Sequence, residues 1–333
     1  MNARILADAL RDPASTATLD AQGWTALFAI ARAEQLIGTL AHRLDGLPMP
    51  RAAARLLEDA RASAAQGRAA ALWEAEMARR ALGPSGMPVV LLKGTAYVAA
   101  GLSAGAGRSI GDLDILVPRE RIEEAEALLL AAGWEWVKPD PYDDLYYRRW
   151  MHELPPLIHR ERDRMIDVHH TILPLTARIA PDAAALIADS ELLANGLRVL
   201  NPADRIVHAA AHLFADGDLA GGMRNLWDIH CLIEEGAEGL AARAAQHGLT
   251  AAVRRAARQV RRLYGTTIDA AWHGWDAADP LFQRRMLARD GWGRPTARVT
   301  RLAFYLRGHA MRMPPAMLAR HLWTKWRKGA RSA

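Results

Sequence analysis

Cysteine is almost missing from this chain: Cys231 is the one thiol in 333 residues. An intramolecular disulfide is excluded, and a reducing cytoplasm is the expected setting. Long apolar runs are missing as well. No stretch approaches the ~20 apolar residues that cross a bilayer, and the opening MNARILADALRDP lacks the apolar core of a signal peptide. Lysine is sparse beside arginine and alanine is abundant, a usage that suggests a GC-rich bacterial source. Acid is scarce at one end only. From Arg284 onward 13 Lys or Arg face the single acid Asp290, a local charge of +12, which leaves −6 for the remainder of a chain whose total is +6. The motif H-E-x-x-H does not occur, so the adjacent His152 and Glu153 do not support a zinc protease.

What is present describes a globular protein, 51% hydrophobic and 24% charged, long enough for two or three domains. Its most informative stretch runs from Val89 to Val117, VVLLKGTAYVAAGLSAGAGRSIGDLDILV. Val89 to Leu92 read as a short buried strand. Lys93-Gly94-Thr95 then turn the chain into an Ala-rich helix, about Ala96 to Leu102, and a Gly/Ala/Ser loop carrying Arg108 leads to a second strand, Gly111 to Val117. In a strand, residues i and i+2 share a face, so Asp112 and Asp114 project side by side while Leu113 and Ile115 point the other way. Two such carboxylates repel and call for a cation. Mg²⁺ is the usual one where phosphates are involved. The free N–H groups of the helix start favour an anion, and together these features suggest a nucleoside triphosphate site.

This order of strand, Gly-Thr, helix and Asp-Leu-Asp resembles the DNA polymerase β-like nucleotidyltransferase superfamily. LLKG followed by R-x-x-G-D-L-D-I-L-V is more specifically similar to the uncharacterised bacterial nucleotidyltransferase family. Thr95 stands where that pattern usually has Gly or Ser, and the spacer from Gly94 to Asp112 is longer than in many members. The resemblance implies an α+β fold: a small mixed β-sheet core, a helical N-terminal segment and a mostly helical C-terminal domain. It also implies transfer of a nucleoside monophosphate from an NTP to an acceptor hydroxyl, with release of pyrophosphate. In that scheme Asp112 and Asp114 hold Mg²⁺ (or Mn²⁺) with the nucleotide, and a third carboxylate from a neighbouring strand, best matched by Asp167, serves a second ion. Gly94 and Thr95 cradle the triphosphate, and Lys93 and Arg108 balance its charge. His169 is expected either to line the site or contact a phosphate, or to make a structural hydrogen bond. The acceptor (tRNA end, protein or small molecule) is not readable. The main alternative is a catalytically inactive nucleotidyltransferase-like binding or interaction protein. A kinase is disfavoured because no H-G-D loop occurs, and a purely helical scaffold or membrane-associated protein is a third reading.

In chain order, residues 1–83 read as helices, the longest from about Arg51 to Leu82. The core is expected over residues 84–173 and the helical C-terminal domain over 174–333. An amphipathic helix is predicted from Arg119 to Ala132, a strand from Trp134 to Val137, and a connecting loop from Lys138 to Tyr147. Two more strands follow, Met151 to His159 and Met165 to Ile172, the second placing Asp167 and His169 on one face. After a short strand at Leu197 to Leu200, Asn201 and Pro202 signal a helix start. His208 and His212, spaced i,i+4, read as packing or polar contacts in preference to a zinc site. Arg224 and Asp228 read as a salt bridge. The terminal LARHLWTKWRKGARSA mixes Trp323 and Trp326 with Lys325, Arg327 and Lys328, and suits contact with a polyanion or an anionic membrane surface.

Overall fold

The computed structural model describes residues 2–137, 140–236 and 238–312. Seven short strands form one mixed sheet: β1 (Val90–Leu91), β2 (Asp112–Leu116), β3 (Trp134–Trp136), β4 (Leu157–His159), β5 (Met165–His169), β6 (Glu191–Leu192) and β7 (Arg198–Val199). Their order across the sheet is β3-β4-β5-β2-β1-β7-β6. The central pair, β2 and β5, is parallel, with Asp114 opposite Asp167 and Leu116 opposite His169. β1 is antiparallel to β2 and parallel to β7. The sheet thus continues past residue 173: β7 falls within the short strand expected at Leu197 to Leu200, and β6 comes from a stretch expected to be helical. Helices make up most of the remaining described residues, and the class is α+β as anticipated.

The alternation of β2 explains its two environments. Leu113 and Ile115, with Ile166 and Val168 of β5, belong to a contiguous buried apolar cluster. That cluster also contains Leu57, Ala75, Ala78 and Leu82 of the helix Arg51–Leu82, which packs on β2. The acidic residues of both strands occupy the opposite face.

Three local expectations change. The segment expected as a loop contains the helix Pro141–Trp150: Asp140 accepts hydrogen bonds from the N–H groups of Tyr142 and Asp143, and Pro141 fits the first turn. The strand expected from Met151 to His159 is limited to Leu157–His159 plus a single bridge at Glu153, because Pro155 and Pro156 cannot continue a ladder. The helix after β1 begins earlier than expected, at Lys93, and ends at Ala99, just before Gly101 takes a positive φ of 70°. The start at Asn201 stands as read: its side chain accepts from the N–H of Asp204 and Pro202 opens the helix Pro202–Ala210. Among the described residues no helix is long and apolar enough to cross a membrane.

Candidate active site

Asp112 and Asp114, on the acidic face of β2, form one wall of a cleft of about 590 Å³. Lys93, Gly94, Arg108, Asp112, Asp114 and His212 line it, together with Glu34, Gln35, Arg224, Asn225 and Arg289 from helical segments far away in sequence. Asp112, Asp114 and Asp167 come together, each offering an oxygen that lies within 4.8 Å of the others. The register of β2 against β5 causes this, since residues opposite one another in adjacent strands point to the same side.

Their charge states differ. Burial opposes ionisation of Asp114, but Lys93 and His169 overcome it and hold the carboxyl well below the usual range. Lys93 Nζ lies 2.6 Å from Oδ1 of Asp114, and His169 Nε2 lies 3.0 Å from the same oxygen. Burial likewise works against the charge of Lys93, yet Asp114, Glu153 and Asp112 push its pKa up to about 12. Asp167 shows the reverse. Burial first, then the negative neighbours Asp114 and Glu153, raise it to about 7. Asp112 reaches solvent at the cleft mouth, but the crowded walls desolvate its carboxylate and Asp114 repels it, so its pKa also rises. Two carboxyls tending toward the neutral form beside one cation describe a site short of positive charge.

Gly94 has a steric reason to lack a side chain. A Cβ there would sit 2.5 Å from Nε of Arg108. Arg108, expected to balance phosphate charge, lines the cleft but donates a hydrogen bond to the buried carboxylate of Asp228 and lies 5.5 Å over the ring of Tyr97. Asp228 also accepts from Arg224 at 2.7 Å, and Arg224 donates to Thr39 Oγ1 at 2.7 Å. The Arg224–Asp228 salt bridge read from spacing is therefore present, and it joins Arg108 in one buried network. Thr95 is 1% exposed, and its hydroxyl has no hydrogen-bond partner. His208 and His212 are both held neutral, burial being the chief cause, with His212 lowered to about 3. His212 sits in a π-helical turn, Ala211–Asp216, that follows the helix Pro202–Ala210 and brings it to the cleft.

Sequence reasoning left out Glu34, Gln35, Asn225 and Arg289, for which no motif or spacing gave a signal. It also left out Glu153 as a neighbour of His169, although His152-Glu153 drew notice as a pair. Their only local mark was polarity in an apolar neighbourhood.

Among curated proteins none matches the chain. Among solved structures, the antibiotic-resistance factor ANT(2'')-Ia is similar at 15% identity, over 56% of this chain and 95% of that one, with a TM-score of 0.36. Residues 20–265 match the family model described as uncharacterised nucleotidyltransferase, and over that span the chain belongs to this family.

Proposed function

We propose that the protein moves a nucleoside monophosphate from a nucleoside triphosphate to an acceptor hydroxyl in a metal-dependent reaction that releases pyrophosphate. The observation that carries this reading is the meeting of Asp112, Asp114 and Asp167, oxygens within 4.8 Å, where Asp112 and Asp114 line a cleft of about 590 Å³. The donor set fits a hard cation. All three ligands are carboxylates, and two of them are crowded toward protonation, so Mg²⁺ or Mn²⁺ suits them better than a softer ion. When bound, such ions neutralise phosphate oxygens and lower the pKa of an attacking hydroxyl.

The chain's own residues have separable tasks. Asp112 and Asp114 would hold the ion that accompanies the nucleotide, and Asp167 would serve chiefly the one beside the acceptor. Lys93 keeps Asp114 ionised before anything binds and stays charged itself, so its ammonium is ready to meet a phosphate oxygen. Gly94, whose missing side chain makes room for Arg108, would offer its backbone to the triphosphate, with the backbone of Thr95 next to it. Arg108 and Arg224 add positive potential behind that wall, and His169 holds Oδ1 of Asp114, the oxygen that Lys93 also contacts. ATP is a natural donor to try first, and the lone buried thiol Cys231 suits a cytoplasmic enzyme.

The test supplies each labelled NTP with Mg²⁺ and a cell lysate, then locates the label on RNA, protein or small molecules. Label transfer that disappears in Asp112→Asn and Asp114→Asn is the expected result. If Mg²⁺-NTP raises the melting temperature but no label moves under any condition, the protein binds nucleotides without transferring them, and the reading fails.

A further inference from the structure

A second ligand set adjoins the carboxylate triad and uses different atoms. His152 and Glu153 form with His169 a group whose ligand atoms lie within 4.8 Å of one another. The backbone arranges this. Glu153 makes an antiparallel bridge with His169, His170 N–H donates to the carbonyl of His152, and Leu154 N–H donates to that of Val168. Residues 152–154 therefore run along the edge of β5, and bridged residues present their side chains on one side.

The spacings fit a metal better than they fit hydrogen bonds. Nδ1 of His169 is 3.3 Å from Oε2 of Glu153, and Nε2 of His152 is 3.7 Å from the same oxygen. Zinc bonds of about 2.0–2.1 Å in a tetrahedral centre put neighbouring ligand atoms roughly 3.3 Å apart. Nδ1 of His169 nevertheless has no hydrogen-bond partner, although its residue is 1% exposed. A buried imidazole nitrogen aimed near a carboxylate, but not along a hydrogen bond, is where a shared ion would sit. The other nitrogen of His169 completes the pattern. Nε2 lies 3.0 Å from Asp114, and a proton donated there leaves Nδ1 as a free lone pair. A carboxylate holding the far nitrogen of a metal-bound histidine is the usual outer support of a zinc ligand.

We propose that His152, Glu153 and His169 bind one zinc-class divalent cation, separate from the ion at the Asp triad, and that this centre fixes His169 and, through it, the orientation of Asp114. Two imidazoles and one carboxylate favour zinc over magnesium. Glu153 keeps some contact with solvent, its side chain 18% exposed, which leaves room for a water as fourth ligand. The site needs none of the nucleotide reading to exist, because its donor atoms are not those of the triad.

The test uses the full chain without an affinity tag, stripped with a chelator and dialysed against Zn²⁺ or Co²⁺. One zinc per chain should remain after dialysis, and cobalt should give the intense visible bands of four-coordination. His152→Ala and Glu153→Gln should each weaken zinc binding by more than the roughly 10–100-fold that follows loss of an outer-shell partner. Asp112→Asn, and His208→Gln with His212→Gln, should keep the zinc. Zinc lost in Asp112→Asn but kept in the other two variants would place the ion at the triad and overturn the proposal. A wild-type protein without zinc or four-coordinate cobalt bands would overturn it too, whether or not the variants fold. The melting rise with Mg²⁺-NTP, taken on the same samples, reads the nucleotide site separately.

Discussion

Asp114 and Asp167 lie opposite one another in adjacent strands, yet their surroundings drive them to opposite charge states. Lys93 and His169 flank the first and keep it ionised, whereas the second has chiefly negative neighbours. This asymmetry separates the carboxylates by role. Asp112→Asn and Asp114→Asn should lose both the melting rise with Mg²⁺-NTP and the transfer activity. Asp167→Asn should keep much of the rise, because one ion still escorts the triphosphate, but lose transfer by a factor on the order of 10² or more. Asp163→Asn is the control. It is exposed, with φ of 53°, a conformation Asn also tolerates, so thermal shift and transfer assays should not register the change. Asp167 also sets a pH dependence. Its pKa is raised to about 7 in the folded protein, so the fold holds a proton that the unfolded chain, near 3.9, releases earlier. Stability from this group is complete below about pH 4 and is lost as pH rises through about 7. In metal-free protein, Asp167→Asn should therefore be more stable than wild type at pH 8, by on the order of 1–4 kcal/mol, and the gap should close toward pH 5. Urea unfolding at the two pH values measures it. An equal gap at both would show that Asp167 does not titrate as described.

At the level of elements, the loop between β1 and β2 is held from both sides. Gly107, with φ of 63°, touches Gly38 of the helix Ile37–Arg43 so closely that a Cβ on it would meet the carbonyl oxygen of Gly38 at 2.2 Å. On the other side the helix Gly222–Glu234 supplies Arg224 and Asp228. Asp228 ion-pairs with two buried guanidiniums, those of Arg108 and Arg224. Removing its charge leaves both without a counter-ion inside the protein. Asp228→Asn should cost about 3–5 kcal/mol, read as a lower urea midpoint. Asp228→Glu, which keeps the charge, should recover part of it. A wild-type midpoint in the Asn variant would mean that water reaches the network and screens it.

On the scale of the whole molecule, the cleft belongs to no single segment: Glu34, Asp112, Arg224 and Arg289 all line it, and Arg289 donates to Glu34 at 2.7 Å to join its two outer walls. Trp323, Lys325, Trp326, Arg327 and Lys328 lie outside the described residues. The helix before them, Arg298–Arg312, exposes Val299 (83%), Leu302 and Leu306 beside Arg298. Exposed apolar and cationic side chains together suit a polyanion or an anionic lipid surface. Removing the residues after Pro315 should weaken binding to RNA or to anionic vesicles and flatten its dependence on salt. Identical binding curves across a salt titration would leave that end as ordinary surface.

Much of this architecture follows from signals that act within a few residues of one another. Alternation in GDLDILV sets Asp112 and Asp114 on one face of a strand, the periodic Ala-rich run makes the helix Arg51–Leu82, and Asn201-Pro202 opens the next helix by the cap read from sequence. Even local signals failed where two competed. Asp140 with Pro141 capped a helix inside what looked like a polar loop, and Pro155-Pro156 cut short an apparently continuous strand. The register that sets Asp167 against Asp114, the bridge that faces Glu153 to His169, and the second partner of Asp228 were decided only in three dimensions. In these contacts strand pairing and buried ion pairing join residues from 16 (Glu153 to His169) to 120 (Arg108 to Asp228) positions apart, and their free energy depends on which surfaces the whole chain buries together. A sequence carries the side chains for such contacts, but no short-range period records which of them will meet.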